Sequence, residues 1–229
     1  MRKEIFTVHQ KIAALYPAKQ PGLPLIVLNT FAGNGDAVMQ ALSDLHAPAC
    51  HLLTIGNLDW NHDLTPWACA PLSKKDAPFS GAADDYLQML CTEIIPHAGS
   101  LCGGTPAYLG IAGYSLAGLF ALYALCQCDL FRCAASVSGS LWYPQFAAFV
   151  QSHPMQNLPR KIYLSLGDLE AKTKHPLLKT VREQTDAVCA HYQQLGIRVQ
   201  FELNPGNHFQ DDVLRTAKGI AAICGEQSA

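Results

Sequence analysis

Charge is scarce in this chain. Asp, Glu, Lys and Arg make up only 15% of its 229 residues, and 16 basic against 18 acidic side chains leave a net charge of -2. So even a balance gives nucleic acid or an anionic membrane no electrostatic hold, and neither is expected as a partner. Long apolar runs are missing as well: no stretch of eighteen apolar residues is present to span a bilayer. The opening Met1-Arg2-Lys3-Glu4-Ile5 carries charge but leads into no apolar segment, because Lys11 and Lys19 interrupt it, so no secretory signal is read. The nine cysteines, scattered from Cys50 to Cys224, contain no Cys-x-x-Cys pair; the nearest approach is Cys126-x-Cys128, in an apolar helical stretch. That spacing excludes the usual zinc and redox motifs, and the odd number reads as reduced packing thiols in a cytoplasmic protein. No metal or organic cofactor is called for. There is no internal repeat, low-complexity tract or linker, so residues 1–229 read as one domain of unknown oligomeric state.

What the chain has is apolar residues, 49% of the total. They fall into short runs alternating with longer amphipathic segments. Strands are expected at Pro24–Asn29, Cys50–Ile55, Ala107–Ala112, Cys133–Ser138, Lys161–Leu166 and Ile197–Leu203. Helices are expected at Ala37–Leu45, Ala82–Ile95, Leu116–Gln127, Tyr143–Gln151, Lys179–Leu195 and Asp211–Cys224, with a long polar and aromatic stretch from Gly56 to Gly81. Alternation of this kind predicts an α/β fold with a mostly parallel sheet covered by helices on both faces. Ligand sites in such sheets lie beyond the carboxyl ends of the strands, so the residues just after each strand are where chemistry is sought.

After the third expected strand comes Gly113-Tyr114-Ser115-Leu116-Ala117-Gly118. This is the strand-turn-helix context of a nucleophile elbow, in which a sharp turn demands small residues two positions before and after the serine. Gly113 and Ala117 meet that demand. The helix opening at Leu116 points free N–H groups toward Ser115. After the last strand, Asn204-Pro205-Gly206-Asn207-His208-Phe209 presents a histidine on a loop, C-terminal to the serine as the hydrolase order requires. Of the other histidines, His62 is the one competitor as base, and His46, His51, His97 and His191 read as surface residues. Gly167-Asp168-Leu169-Glu170 follows the fifth strand and offers two carboxylates to orient the base; Glu170 stands three residues after the glycine, and Asp168 is the alternative. Two N–H donors are needed for an oxyanion: Leu116 supplies one, and Phe31, or its neighbour Thr30, in the loop after the first strand the other. Trp60, Trp67 and Trp142, with Tyr114, are expected to line a substrate pocket.

These residues resemble the esterase family of α/β hydrolases that includes enterochelin (siderophore trilactone) esterases and S-formylglutathione hydrolase. The resemblance runs from about Leu23 to Ile223. It rests on Asp63-Leu64-Thr65-Pro66, Gly81 to Tyr86, Glu93-Ile94-Ile95-Pro96, Gly113 to Ala121, Gly167 to Glu170 and Pro205 to Phe209. It implies the α/β-hydrolase fold, Ser115 and His208 as catalytic residues, Glu170 as the acid, and a serine esterase acting on a small-molecule ester. An acyltransferase using the same site, or a non-catalytic binding protein on the same fold, are the alternatives. The stretch before Leu23 is shorter than the N-terminal hairpin of larger members, so a sheet trimmed at its N-terminus is expected.

Overall fold

The computed structural model describes residues 2–31, 33 and 35–225. One eight-stranded sheet runs through it in the order β1-β2-β4-β3-β5-β6-β7-β8. The strands are β1 (Glu4–Val8), β2 (Lys11–Tyr16), β3 (Leu25–Asn29), β4 (His51–Gly56), β5 (Leu109–Tyr114), β6 (Phe131–Val137), β7 (Lys161–Gly167) and β8 (Arg198–Asn204). From β4 through β3 to β8 all neighbours are parallel; β1 and β2 add an antiparallel edge.

That edge corrects the expectation of a trimmed N-terminus. The first sixteen residues suffice for a hairpin, because β1 and β2 are joined by only His9 and Gln10, with His9 in the left-handed region at φ 50°. β2 then pairs with β4, burying Ala13, Leu15 and Tyr16. Lys11, counted above as an interruption, sits at the strand's start and reaches across to pair with Asp63.

Helices cover both faces. On one, α1 (Asp36–Asp44) and α8 (Asp212–Cys224) pack side by side over Ile26, Leu28, Ala135 and Tyr163. On the other lie α3 (Ala83–Met89), continued through a π-helical turn at Leu90–Ile94 into α4 (Ile95–Ser100), then α5 (Leu116–Gln127), α6 (Phe146–Ser152) and α7 (Val181–Gln194). α5 is apolar all round, and every residue but its last is buried, as a helix sealed between the sheet and an outer layer must be.

The Gly56–Gly81 stretch holds one short helix, α2 (Trp60–Asp63), and is pinned rather than loose. Asp63 takes the Lys11 ammonium and the Asp59 N–H at 2.7 Å, Cys69 pairs with Phe79 in a small bridge, and the Tyr143 hydroxyl donates to the Trp67 carbonyl at 2.6 Å. His51, expected at the surface, is fully buried on β4; its Nδ1 accepts the Ala18 N–H at 3.1 Å, and burial lowers its pKa. Among the described residues, no helix is long and apolar enough to cross a membrane.

Candidate active site

Register carries the site residues to one edge. Asn29 pairs with Gly113, Tyr114 with Val137, and Gly167 with Asn204. The residues that follow, Thr30, Ser115, Ser138, Asp168 and Pro205, therefore emerge at the same carboxyl rim. β3 has β4 on one side and β5 on the other, so the chain reverses its direction of winding there, and a crevice opens between the loops after β3 and β5.

Ser115 stands in that crevice on a strained turn, at φ 60° and ψ -123°, with its N–H held by the Val137 carbonyl at 3.0 Å. Such backbone costs on the order of 1–3 kcal/mol and persists only where the surroundings impose it. Here the imposition is close packing beneath the turn: a Cβ on Gly113 would lie 2.3 Å from the Ala117 backbone, so only glycine lets strand and helix approach.

The Ser115 Oγ lies 3.0 Å from His208 Nε2, and His208 Nδ1 lies 2.8 Å from Glu170 Oε2. The Glu170 side chain is 4% exposed and that of His208 27%. Burial alone would raise the Glu170 pKa. The hydrogen bond and charge of His208, with the Gly167 N–H and the Ser138 hydroxyl, outweigh burial and hold the carboxyl below its ordinary value. Glu170 Oε1 also accepts the Gly167 N–H at 2.5 Å, which leaves Oε2 for the histidine. A second hydroxyl, Ser140 Oγ, lies 3.2 Å from Ser115 Oγ.

Asp168 is elsewhere: its Oδ1 accepts the Gly206 N–H at 2.8 Å and so ties down the histidine loop rather than the imidazole. His62 is also elsewhere, with Nδ1 2.7 Å from the Ser80 hydroxyl. Close approach shapes this region too, since a Cβ on Gly167 would lie 2.3 Å from the Gly206 carbonyl oxygen.

Sequence reasoning did not find Arg215. It lies on α8, 1% exposed, and its guanidinium is forked into the loop that carries His208. Nη2 donates to the Pro205 carbonyl at 2.7 Å; Nη1 donates to the Asn207 carbonyl at 3.0 Å and the Ser138 hydroxyl at 3.3 Å, and lies 3.5 Å from Glu170 Oε1. The Tyr114 hydroxyl donates to the His208 carbonyl at 2.7 Å. The available signal was spacing: Arg215, Gly219 and Ile223 share one helix face at intervals of four, an arginine in line with small and apolar core residues.

Of the two candidates in the loop after β3, Thr30 is already engaged. Its N–H donates to the Ile55 carbonyl at 2.9 Å, so it is not available to an oxyanion. Among the described residues the Phe31 N–H has no backbone acceptor, and Leu116, the first residue of α5, has no intrahelical one. Trp60 and Trp142 border cavities that open on Ser115, as does Tyr114. Trp67 does not join them: its indole N–H is donated to the Pro144 carbonyl at 3.1 Å, and its ring packs on Tyr143 and Phe149. Among the described residues, no group of three His, Cys, Asp or Glu is placed to hold a metal ion.

An IroE-like serine hydrolase from Shewanella oneidensis superposes with a TM-score of 0.81 over 97% of this chain and 79% of its own, at 16% identity. The chain has the α/β-hydrolase fold. The siderophore hydrolase EstB of Aspergillus nidulans matches at a TM-score of 0.71 over 97% of this chain and 94% of its own, also at 16% identity. Among curated proteins, the uncharacterized protein YbbA of Bacillus subtilis (strain 168) is 23% identical over 188 residues, 79% of this chain and 75% of its own. No family model matches the chain.

Proposed function

We propose that the protein is a serine hydrolase, a single catalytic domain that cleaves a carboxylic ester through an acyl-enzyme on Ser115. The observation that carries this reading is the unbroken relay from Ser115 Oγ through His208 to Glu170, at 3.0 and 2.8 Å, on a strained elbow at the sheet's switch point. The serine hydrolase and siderophore hydrolase among its structural neighbours support ester cleavage as the reaction class.

In the first step the Ser115 oxygen bonds to the acyl carbon while its proton passes to His208 Nε2. Glu170, a carboxylate on Nδ1, keeps the proton-accepting tautomer in place and stabilises the imidazolium. The Leu116 and Phe31 N–H groups take the oxyanion. The carbon–oxygen bond to the alcohol then breaks, and His208 returns the proton to the leaving oxygen. Water repeats the sequence, freeing the acid and regenerating the serine. The substrate is a small-molecule ester, and no cofactor enters any step. All nine cysteines are free thiols, which suits a reducing compartment, and we place the protein in the cytoplasm.

Turnover of p-nitrophenyl esters by wild type and Ser115→Ala tests this. A stoichiometric burst followed by steady hydrolysis is expected from wild type, with neither from the variant. A binding protein on this fold gives no burst; an acyltransferase gives a burst whose acyl group goes to an added alcohol or thiol rather than to water.

A further inference from the structure

Among the described residues, three cavities meet at Ser115. The largest, about 760 Å³, opens toward α1 and α8 between Phe31, Val38, Phe209 and Val213, and touches both Ser115 and His208. A second, about 510 Å³, lies between Trp60, Phe79 and Trp142; it touches Ser115 and Leu116 but not His208. The third, about 250 Å³, reaches His208 but runs beside the Glu170 carboxylate. Trp60 borders the first two and forms the wall between them, braced edge-on by Phe31 at 5.5 Å.

Building on the reading of Ser115 as nucleophile, we propose that the substrate is an ester whose uncharged, apolar alcohol arm occupies the largest cavity and whose acyl arm occupies the cavity between Trp60, Phe79 and Trp142, which Lys75 and Asp76 also border. The assignment follows from the path of the proton. Ser115 Oγ gains a bond to the acyl carbon, the bond to the alcohol oxygen breaks, and the serine proton ends on that oxygen by way of His208. The leaving oxygen must therefore face His208, which borders the largest cavity and not the second. The acyl group, which stays on the serine after the alcohol departs, takes the space that His208 does not border. The third cavity also reaches His208, but it has a third of the volume.

Charge selects against an anionic alcohol. Among the described residues no Lys or Arg lines the largest cavity, and the one acidic residue there is Asp212. A carboxylate or phosphate arm would be drawn from water without a counter-ion and set near a like charge. Two aromatic rings stand in solvent at its mouth, Phe31 at 83% exposure and Phe209 at 87%, an arrangement that an apolar arm lying between them relieves.

Two exposed alanines allow a test that does not disturb the core. Ala37 borders the largest cavity and Ala77 the acyl cavity. Ala37→Trp should lower kcat/KM for hexyl butyrate relative to methyl butyrate tenfold or more, and leave the preference between acetyl and octanoyl esters of one alcohol as in wild type. Ala77→Trp should lower octanoyl relative to acetyl esters by a similar factor and leave alcohol preference alone. The butyrate ester of 6-hydroxyhexanoate, whose alcohol arm ends in a carboxylate, should react at least tenfold more slowly than hexyl butyrate. Exchanged effects, no effect of either variant, or equal rates with the carboxylate arm overturn the assignment. A wild type that turns over esters and labels with a fluorophosphonate while failing these tests loses only the subsites; one that does neither loses the nucleophile reading and this proposal with it.

Discussion

Replacing Glu170 by Gln changes one charge in a site that constrains the outcome tightly. The Gly167 N–H, 2.5 Å from Oε1, donates and so requires an acceptor oxygen opposite it; the Arg215 guanidinium, 3.5 Å away, has the same requirement. The Gln carbonyl must take that position, which turns its NH2 toward His208 Nδ1. Two donors cannot face each other, so the imidazole shifts its proton to Nε2 and meets Ser115 with a donor where an acceptor is required. The loss combines the wrong tautomer with the missing charge beside the imidazolium. In serine proteases the equivalent change lowers kcat by about 10⁴. With Ser140 as a second hydroxyl near Ser115, a fall of about 10³–10⁴ is expected here, or ~4–5.5 kcal/mol of barrier. Burst and steady-state rates on p-nitrophenyl butyrate, with thermal melts run alongside, measure it. Turnover within tenfold of wild type in a folded variant would refute the reasoning, as would a comparable loss in Asp168→Asn, whose carboxylate accepts the Gly206 N–H rather than meeting the imidazole.

Glu170 also sets a pH dependence of stability. Its folded pKa lies below the ordinary 4.5, so its contribution is fully present above 4.5 and is lost as pH falls through the depressed folded value. The stability gap between wild type and Glu170→Gln in urea melts should be widest at neutral pH and close as the pH falls from 4.5 through the folded value. Arg215→Lys cannot reach both the Pro205 and Asn207 carbonyls; the one lost charge-assisted hydrogen bond is worth about 1.5–3 kcal/mol, so Tm should fall by about 3–12 °C and kcat with it, and an unchanged Tm would contradict the clamp. Ser115→Gly relieves backbone held at φ 60° and should raise stability by about 1 kcal/mol while abolishing turnover, both read from one preparation. Gly113→Ala sets a methyl 2.3 Å from the Ala117 backbone and should destabilise by about 3 kcal/mol or more in denaturant titration.

Much of this architecture was legible because the strands buried on both faces read as unbroken apolar runs and the glycine- and proline-bearing loops between them punctuate the chain. α5 falls on the expected residues, and Ser115 and His208 come together across 93 positions because each follows a strand of the same parallel sheet. What escaped depended on tertiary facts. The β1–β2 hairpin turns on two residues and takes its register from β4, far along the chain. Arg215 reads locally as a helix-surface charge, and its burial is accounted for by partners distant in sequence or on the next loop: the carbonyls of Pro205 and Asn207, the Ser138 hydroxyl and the Glu170 carboxylate. Side-chain type could not separate Thr30 from Phe31, because the difference is a backbone hydrogen bond to Ile55. Trp67 shares a loop with Trp60, yet its indole N–H found the Pro144 carbonyl and drew the ring into the packing around Phe149.

Intact-mass and peptide analysis after brief exposure to a fluorophosphonate tests the central claim most directly. One adduct per chain, on the peptide containing Ser115 and lost when either Ser115 or His208 is replaced by Ala, is the predicted result. An unlabelled wild type, or a label that stays when His208 is gone, would contradict an activated serine at this elbow.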